Sequence, residues 1–246
     1  QCYAGLGKYD EAITHFEIAA SFKPDDPDII NDIGTCYTEK MDLGKALDQL
    51  NKVIELDAEF TQAYYNRGLV YRKLGSWEHA IEDYDKAIEL DAEFAEAYSN
   101  RGGVYERTGN YQRALEDYDK ALELKPQSAE VYYNRGVVYQ RSGNHQQAIK
   151  DYDSVIELKP RFKPAYYNRG LAYDKSGNHQ QAIRNYIKAI ELDPKFALAY
   201  VRLAKDYEKQ EQYEAAIEAW TKVSEIGPQQ HEARKNLTRL RALIHQ

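Results

Sequence analysis

Asparagine stands at positions 66, 100, 134 and 168, and a lysine or arginine at 73, 107, 141, 175 and 209. Each ladder has a rung every 34 residues. An asparagine side chain offers one acceptor and two donors. A row of asparagines can therefore hold the carbonyls and amides of an extended peptide whatever its side chains. A row of cations beside it (Lys73, Arg107, Arg141, Lys175, Lys209) favours an acidic or phosphorylated segment. Tyr65, Tyr133 and Tyr167 each precede an asparagine (Asn66, Asn134, Asn168) and add apolar and stacking contact.

Catalytic and metal chemistry is not apparent. Of six histidines, His145 and His179 share a place in neighbouring copies of the 34-residue pattern. No cysteine or carboxylate stands at ligand spacing to either, so both read as turn surface and no metal is expected. There is no Gly-rich phosphate loop, nucleophile elbow or zinc-type spacing. Paired carboxylates have lysines four residues away, the pattern of a solvated helix face. The expectation is no enzyme and no cofactor. A formal net charge of −7 argues against a nucleic-acid partner, whose phosphates need a basic face. No apolar run approaches the ~20 residues of a membrane span.

These residues need elements to position them, and the repeat supplies them. Tyrosine recurs at 3, 37, 71, 105, 139, 173 and 207, and alanine at 12, 46, 80, 114, 148, 182 and 216. Unbroken ladders of this period mean one small unit, copied, that must stack on its neighbours to bury a core. With residues 61–94 numbered as slots 1–34, apolar or aromatic residues fall at slots 4, 8, 11, 20, 24, 27 and 28. Those intervals are helical. Gly75 at slot 15 breaks the first helix, and the short connection makes an antiparallel helix hairpin. Slot 8 is small throughout (Gly34, Gly68, Gly102, Gly136, Gly170, Ala204) and slot 20 is always alanine. Glycine inside a helix costs about 1 kcal/mol relative to alanine, so its recurrence predicts another helix too close for a β-carbon. The bulk sits at slots 4, 11 and 24, such as Tyr64, Tyr71 and Tyr84. Slot 32 is proline or alanine, and proline there ends the second helix.

This pattern resembles the tetratricopeptide repeat: a bulky residue at slot 4, Leu-Gly-like residues at slots 7 and 8, Tyr at 11, Ala at 20, an aromatic at 24, Ala at 27 and Pro at 32. It reads as one solenoid over 1–246: a partial repeat at 1–26, full repeats at 27–60, 61–94, 95–128, 129–162, 163–196 and 197–230, and a capping helix at 231–246. The resemblance implies an all-α fold, a right-handed superhelical α-solenoid of stacked antiparallel helix hairpins. It also implies a concave groove lined by first helices and a role in binding a peptide or helix of another protein.

On a first helix, slots 4, 7, 8 and 11 share one side and slots 2, 6, 9 and 13 the other. Slots 2 and 12 drift in residue type, whereas slots 6 and 13 hold theirs. Asparagine is a mediocre helix former, so Asn66, Asn100, Asn134 and Asn168 call for a reason. Binding is one; inheritance from recent duplication is the other, and the alternatives stay open at this point. Arg67, Arg101, Arg135 and Arg169 at slot 7 accompany Asp83, Asp117, Asp151 and Asn185 at slot 23, which predicts pairing inside each repeat. Asp85, Asp119 and Asp153 at slot 25 compete as partners. The resemblance also prompts a check for a clamp that binds C-terminal carboxylates. Asn168 and Arg202 fit, but Leu198, Tyr133 and Val137 stand where Lys, Lys and Asn are needed, so the clamp is incomplete.

Cys2 and Cys36 occupy one slot in adjacent copies. Packed helix axes lie ~8–10 Å apart and a disulfide needs α-carbons within ~7 Å. Both read as buried, reduced thiols, in keeping with a cytoplasmic site. Gln1 is no natural start and the first copy lacks its opening half, so the chain reads as part of a longer protein. Near the other end, Ala233, Leu237, Leu240 and Ile244 form a stripe that would cap the stack. The functional expectation is a non-catalytic scaffold that binds an extended, acidic segment of a partner protein in its groove. Self-association into a homo-oligomer, or service as the targeting region of a larger enzyme, are the alternatives.

Overall fold

The computed structural model describes residues 8–244. These form fourteen helices and, among the described residues, no strand. Cys2 and Tyr3 lie outside the described residues, while Cys36 is a buried free thiol. The chain divides into two compact units, 1–126 and 127–246.

The first unit holds α1 (Tyr9–Phe22), α2 (Pro27–Glu39), α3 (Leu43–Leu56), α4 (Thr61–Leu74), α5 (Trp77–Leu90), α6 (Ala95–Arg107) and α7 (Tyr111–Leu124). The second holds α8 (Ala129–Arg141), α9 (His145–Leu158), α10 (Lys163–Lys175), α11 (His179–Leu192), α12 (Ala197–Lys209), α13 (Tyr213–Ile226) and α14 (Gln230–Ile244). Within each unit, consecutive helices pack as hairpins, and each hairpin stacks on the next. The fold is therefore an all-α repeat solenoid, as the 34-residue period predicts.

Local chemistry sets the helix ends. Asn110, Asn144 and Asn178 accept at the N-termini of α7, α9 and α11 from the amides of Arg113, Gln147 and Gln181. This satisfies a donor that the helix itself leaves open. The break at slot 15 is a left-handed residue: Gly75, Gly109, Gly143 and Gly177 have φ between 77° and 83°. Met41 and Glu211 hold the same place at φ 62° and 59°, with a side chain in a region that favours glycine.

The core is an alternation of large and small slots. The slot-24 side chains Tyr84, Tyr118, Tyr152, Tyr186 and Trp220 are fully buried, as are the slot-20 alanines Ala46, Ala80, Ala114, Ala148, Ala182 and Ala216. Each buried aromatic contributes on the order of 1.5–3 kcal/mol of transfer free energy. A β-carbon at Gly68 would lie 2.7 Å from Tyr84 Cε1, and one at Gly170 2.6 Å from Tyr186 Cε1. The close approach predicted at slot 8 is real, but what approaches is the slot-24 ring of the same hairpin and not a helix backbone.

In three repeats the varying slot 12 serves slot 24. The Tyr118 hydroxyl bonds Glu106 Oε2 at 3.2 Å, the Tyr152 hydroxyl bonds Gln140 Oε1 at 2.9 Å, and Trp220 Nε1 donates to Glu208 Oε1 at 2.7 Å. In α14, Ala233, Leu237 and Leu240 are buried and cap the last hairpin, but Ile244 is exposed.

Candidate functional site

The candidate residues lie on first helices: α4 and α6 in the first unit, α8, α10 and α12 in the second. In the first unit, Asn66 is buried and its amide is in use. Its Nδ2 donates to Asn31 Oδ1 at 2.8 Å and Thr35 Oγ1 at 3.3 Å, and its Oδ1 accepts from Gln62 Nε2 at 3.1 Å. Slot 6 is thus a contact with the preceding first helix as well as part of an exposed face, because adjacent first helices meet along it. Asn100 Nδ2 donates to the Tyr65 hydroxyl at 3.0 Å and to the Glu96 carbonyl at 2.9 Å, which leaves its Oδ1 to accept.

In the second unit, Asn168 Nδ2 donates to the Tyr133 hydroxyl at 2.9 Å. Asn134 is half-buried and makes no hydrogen bond among the described residues, so its donors and acceptor are all unengaged.

The slot-5 tyrosines serve the scaffold as well. Tyr65 packs on Phe94 with ring centroids 4.8 Å apart, Tyr133 on Phe162 at 5.3 Å and Tyr167 on Phe196 at 5.0 Å. Sequence reasoning missed this tie between slot 5 of one copy and slot 6 of the next. The signal was present in the shared period, but a period does not say which copies touch.

The basic ladder is exposed at every rung, Lys73, Arg107, Arg141, Lys175 and Lys209. Its rungs differ in what surrounds them. Lys73 Nζ is 3.9 Å from Glu39 Oε1. The Arg107 guanidinium sits over the Trp77 ring at 5.5 Å. Lys209 bonds Asp174, and also Asp206 Oδ1 at 2.9 Å. Burial alone would lower the Lys209 pKa, but the bonds to Asp174 and Asp206 outweigh it and raise it. Lys175 has no ion pair among the described residues.

The slot-7 arginines are structural, and they use both acidic slots. Arg101 Nε and Nη2 fork onto Asp117 at 2.9 and 2.6 Å, while Nη1 reaches Asp85 of the preceding repeat at 2.5 Å. Arg67 grips Asp83 at 2.9 and 2.7 Å and Asn51 at 2.7 Å. Arg135 forks onto Asp151 at 2.9 and 2.6 Å. Arg169 bonds Asn185 at 2.8 Å and also Asp153. Slot 23 is the partner within a repeat and slot 25 the partner in the repeat before. Burial works against the charge on Arg101, and the bonds to Asp117 and Asp85 overcome it and raise the pKa.

One reading from sequence needs correction. His179 does have carboxylates within reach: its Nδ1 is 3.1 Å from Asp174 Oδ1 and 3.4 Å from Asp206 Oδ1. Asp206 belongs to the next repeat, so spacing along the chain hides it. Elsewhere, no helix among the described residues is long and apolar enough to cross a membrane.

Comparison with known proteins fits this geometry. Sequence models described as TPR repeat match residues 34–75 and 68–109, and models described as tetratricopeptide repeat match 93–161 and 164–196. The Hsp70-Hsp90 organizing protein of Triticum aestivum is 34% identical over 73 residues, which is 30% of this chain and 13% of that protein. The chain thus spans a small fraction of that relative's length. Among solved structures, YrrB, described as a TPR protein with an unusual peptide-binding site, superposes with a TM-score of 0.65 at 26% identity, covering 75% of this chain and 95% of its own. The C-terminal part of a TPR repeat-containing protein from Cytophaga hutchinsonii gives a TM-score of 0.79 at 22% identity over 96% of both chains, a likeness of fold.

Proposed function

Because the chain belongs to the tetratricopeptide repeat family, we propose that it is a non-catalytic protein-interaction scaffold whose first-helix faces hold an extended, acidic segment of a partner. The observation that carries this reading is Asn134. It is half-buried on a helix face, yet its amide oxygen and nitrogen have no partner among the described residues. Its amide reaches solvent, so the backbone of a bound peptide can take the place of water there. Asn168 supports it, since one N–H and the Oδ1 remain after its bond to Tyr133. Asn100 offers an acceptor for a peptide N–H.

Charge favours an acidic segment. Lys175 in the second unit and Arg107 in the first are exposed cations without an ion pair among the described residues. A carboxylate or phosphate on the bound peptide would pair with either at modest desolvation cost. The likeness to YrrB, whose description includes a peptide-binding site, adds to the same reading.

Selection of a random peptide library on the immobilised chain tests it. The expected result is enrichment of Asp- and Glu-bearing sequences that bind by backbone and charge. Enrichment should fall at least tenfold on a chain carrying Asn134→Ala and Lys175→Glu. Equal enrichment on both chains would refute the assignment of these residues, and no enrichment on either would refute peptide binding.

A further inference from the structure

We propose that Asp174, His179 and Asp206 in the second unit form a binding site for a divalent transition-metal ion of the zinc type. Asp174 lies in the last turn of α10, His179 opens α11, and Asp206 lies in the last turn of α12. One ligand atom from each is within 4.8 Å of the other two. The imidazole Nδ1 is 3.1 Å from one carboxylate oxygen and 3.4 Å from the other. A tetrahedral ion with bonds of about 2.0–2.1 Å spaces its ligands about 3.3 Å apart. Both edges already match that spacing.

Hydrogen bonding gives an independent reason. Asp206 is 1% exposed, yet its Oδ2 has no hydrogen-bond partner. The His179 Nδ1 is also buried and unpartnered: it stands close to two carboxylate oxygens without the alignment of a hydrogen bond. Buried polar atoms are almost always satisfied. The His179 Nδ1 converges on Asp174 Oδ1 and Asp206 Oδ1, the oxygens that Lys209 bonds, and Asp206 Oδ2 is left open on the same carboxylate. Of the three residues, His179 alone lines the surface concavity walled by Gly177, Asn178 and Gln210.

Lys209 already holds a cation in this place, through its bonds to Asp174 and Asp206. Its side chain is 45% exposed on a flexible stem and can swing into solvent. Exchange of the ammonium for a divalent ion leaves two carboxylates and two positive charges balanced. One imidazole and two carboxylates suit zinc better than calcium or magnesium, which take oxygen, and there is no thiolate to draw softer ions. Three protein ligands leave a fourth position for water or a partner's carboxylate. Bound metal would tie α10 to α12 and so lock two successive repeats together.

Calorimetric titration of the chelator-stripped chain with zinc chloride at neutral pH, paired with thermal melts, tests this. The expected result is one site and a Tm higher by several degrees at saturating zinc. Asp206→Asn and His179→Gln should each weaken binding at least tenfold. His179 stands at a half-buried helix start, so its variant reports on ligation without a folding defect. Lys209→Met removes the competing ammonium and should tighten binding. No zinc binding in either the original chain or Lys209→Met, or binding by either ligand variant equal to that of the original chain, would overturn the site.

Discussion

Asn168 donates a 2.9 Å hydrogen bond to the hydroxyl of Tyr133, its predecessor's slot-5 residue one repeat earlier. Asn100 and Tyr65 repeat the relationship in the first unit at 3.0 Å. These asparagines therefore stitch neighbouring first helices together, whatever else they do. A neutral hydrogen bond of this kind contributes about 1 kcal/mol. Asn168→Ala and Tyr133→Phe should each lower stability by about that amount, with a double-mutant coupling of similar size. Asn134→Ala removes no such bond and should stay within about 0.5 kcal/mol. Urea unfolding of the variants measures all of these. Equal losses at Asn134 and Asn168 would contradict the division of labour.

The helices were legible because hydrophobic spacing reports local geometry directly. The slot-7 to slot-23 pairing was also legible, since Ile33 and Leu203 accompany Gln49 and Ala219 where the arginine is missing. What stayed hidden were contacts between copies. In a perfect repeat, slot 25 of one unit and slot 25 of the next look alike, so Asp85 could not be assigned to Arg101 from period alone. The Asn–Tyr tie and the approach of Asp206 to His179 were hidden for the same reason. Slot 12 varies in type, yet in three repeats it bonds slot 24: Glu106, Gln140 and Glu208 serve Tyr118, Tyr152 and Trp220, whereas Tyr84 and Tyr186 have no such partner.

The arginine staple should be asymmetric. Asp117 is buried under the fork of Arg101, whereas Asp85 is half-exposed at the other end. Truncating Asp117 to alanine strips the buried guanidinium of its bidentate partner, at a cost of about 3 kcal/mol. Asp85→Ala should cost less than about 1 kcal/mol, and salt should erase most of it. Arg101→Lys keeps the charge but cannot fork, so it should resemble the Asp117 variant. Thermal melts at low and high salt distinguish these outcomes.

Glu211 and Met41 occupy the left-handed slot that glycine fills in four other repeats. A side chain in that region costs roughly 1–2 kcal/mol, part of which glycine returns as chain entropy. Glu211→Gly should therefore stabilise by about 0.5–1 kcal/mol, while Gly177→Ala should destabilise by a similar amount. Chemical denaturation of the two variants gives opposite signs if the backbone conformation sets the effect.

Burial pushes the pKa of Tyr84, Tyr118 and Tyr186 well above the ordinary phenol value. An acid whose pKa is raised on folding keeps its contribution below the unfolded value. Above about pH 10 the unfolded chain alone gains by ionising, so stability falls as pH rises. The phenolate signal of the buried three should appear only as the far-ultraviolet helix signal is lost. Their hydroxyls are not equivalent. Tyr118 bonds Glu106, whereas Tyr84 and Tyr186 have no hydrogen-bond partner among the described residues. Removing an unpartnered buried hydroxyl relieves a desolvation cost, and removing a bonded one exposes its partner. Tyr84→Phe and Tyr186→Phe should be neutral or stabilising at neutral pH and shift alkaline unfolding upward. Tyr118→Phe should lose about 1 kcal/mol at neutral pH. A single phenolate transition near pH 10 with helicity intact would show that these rings reach solvent, and would contradict the packing of slot 24 against slot 8.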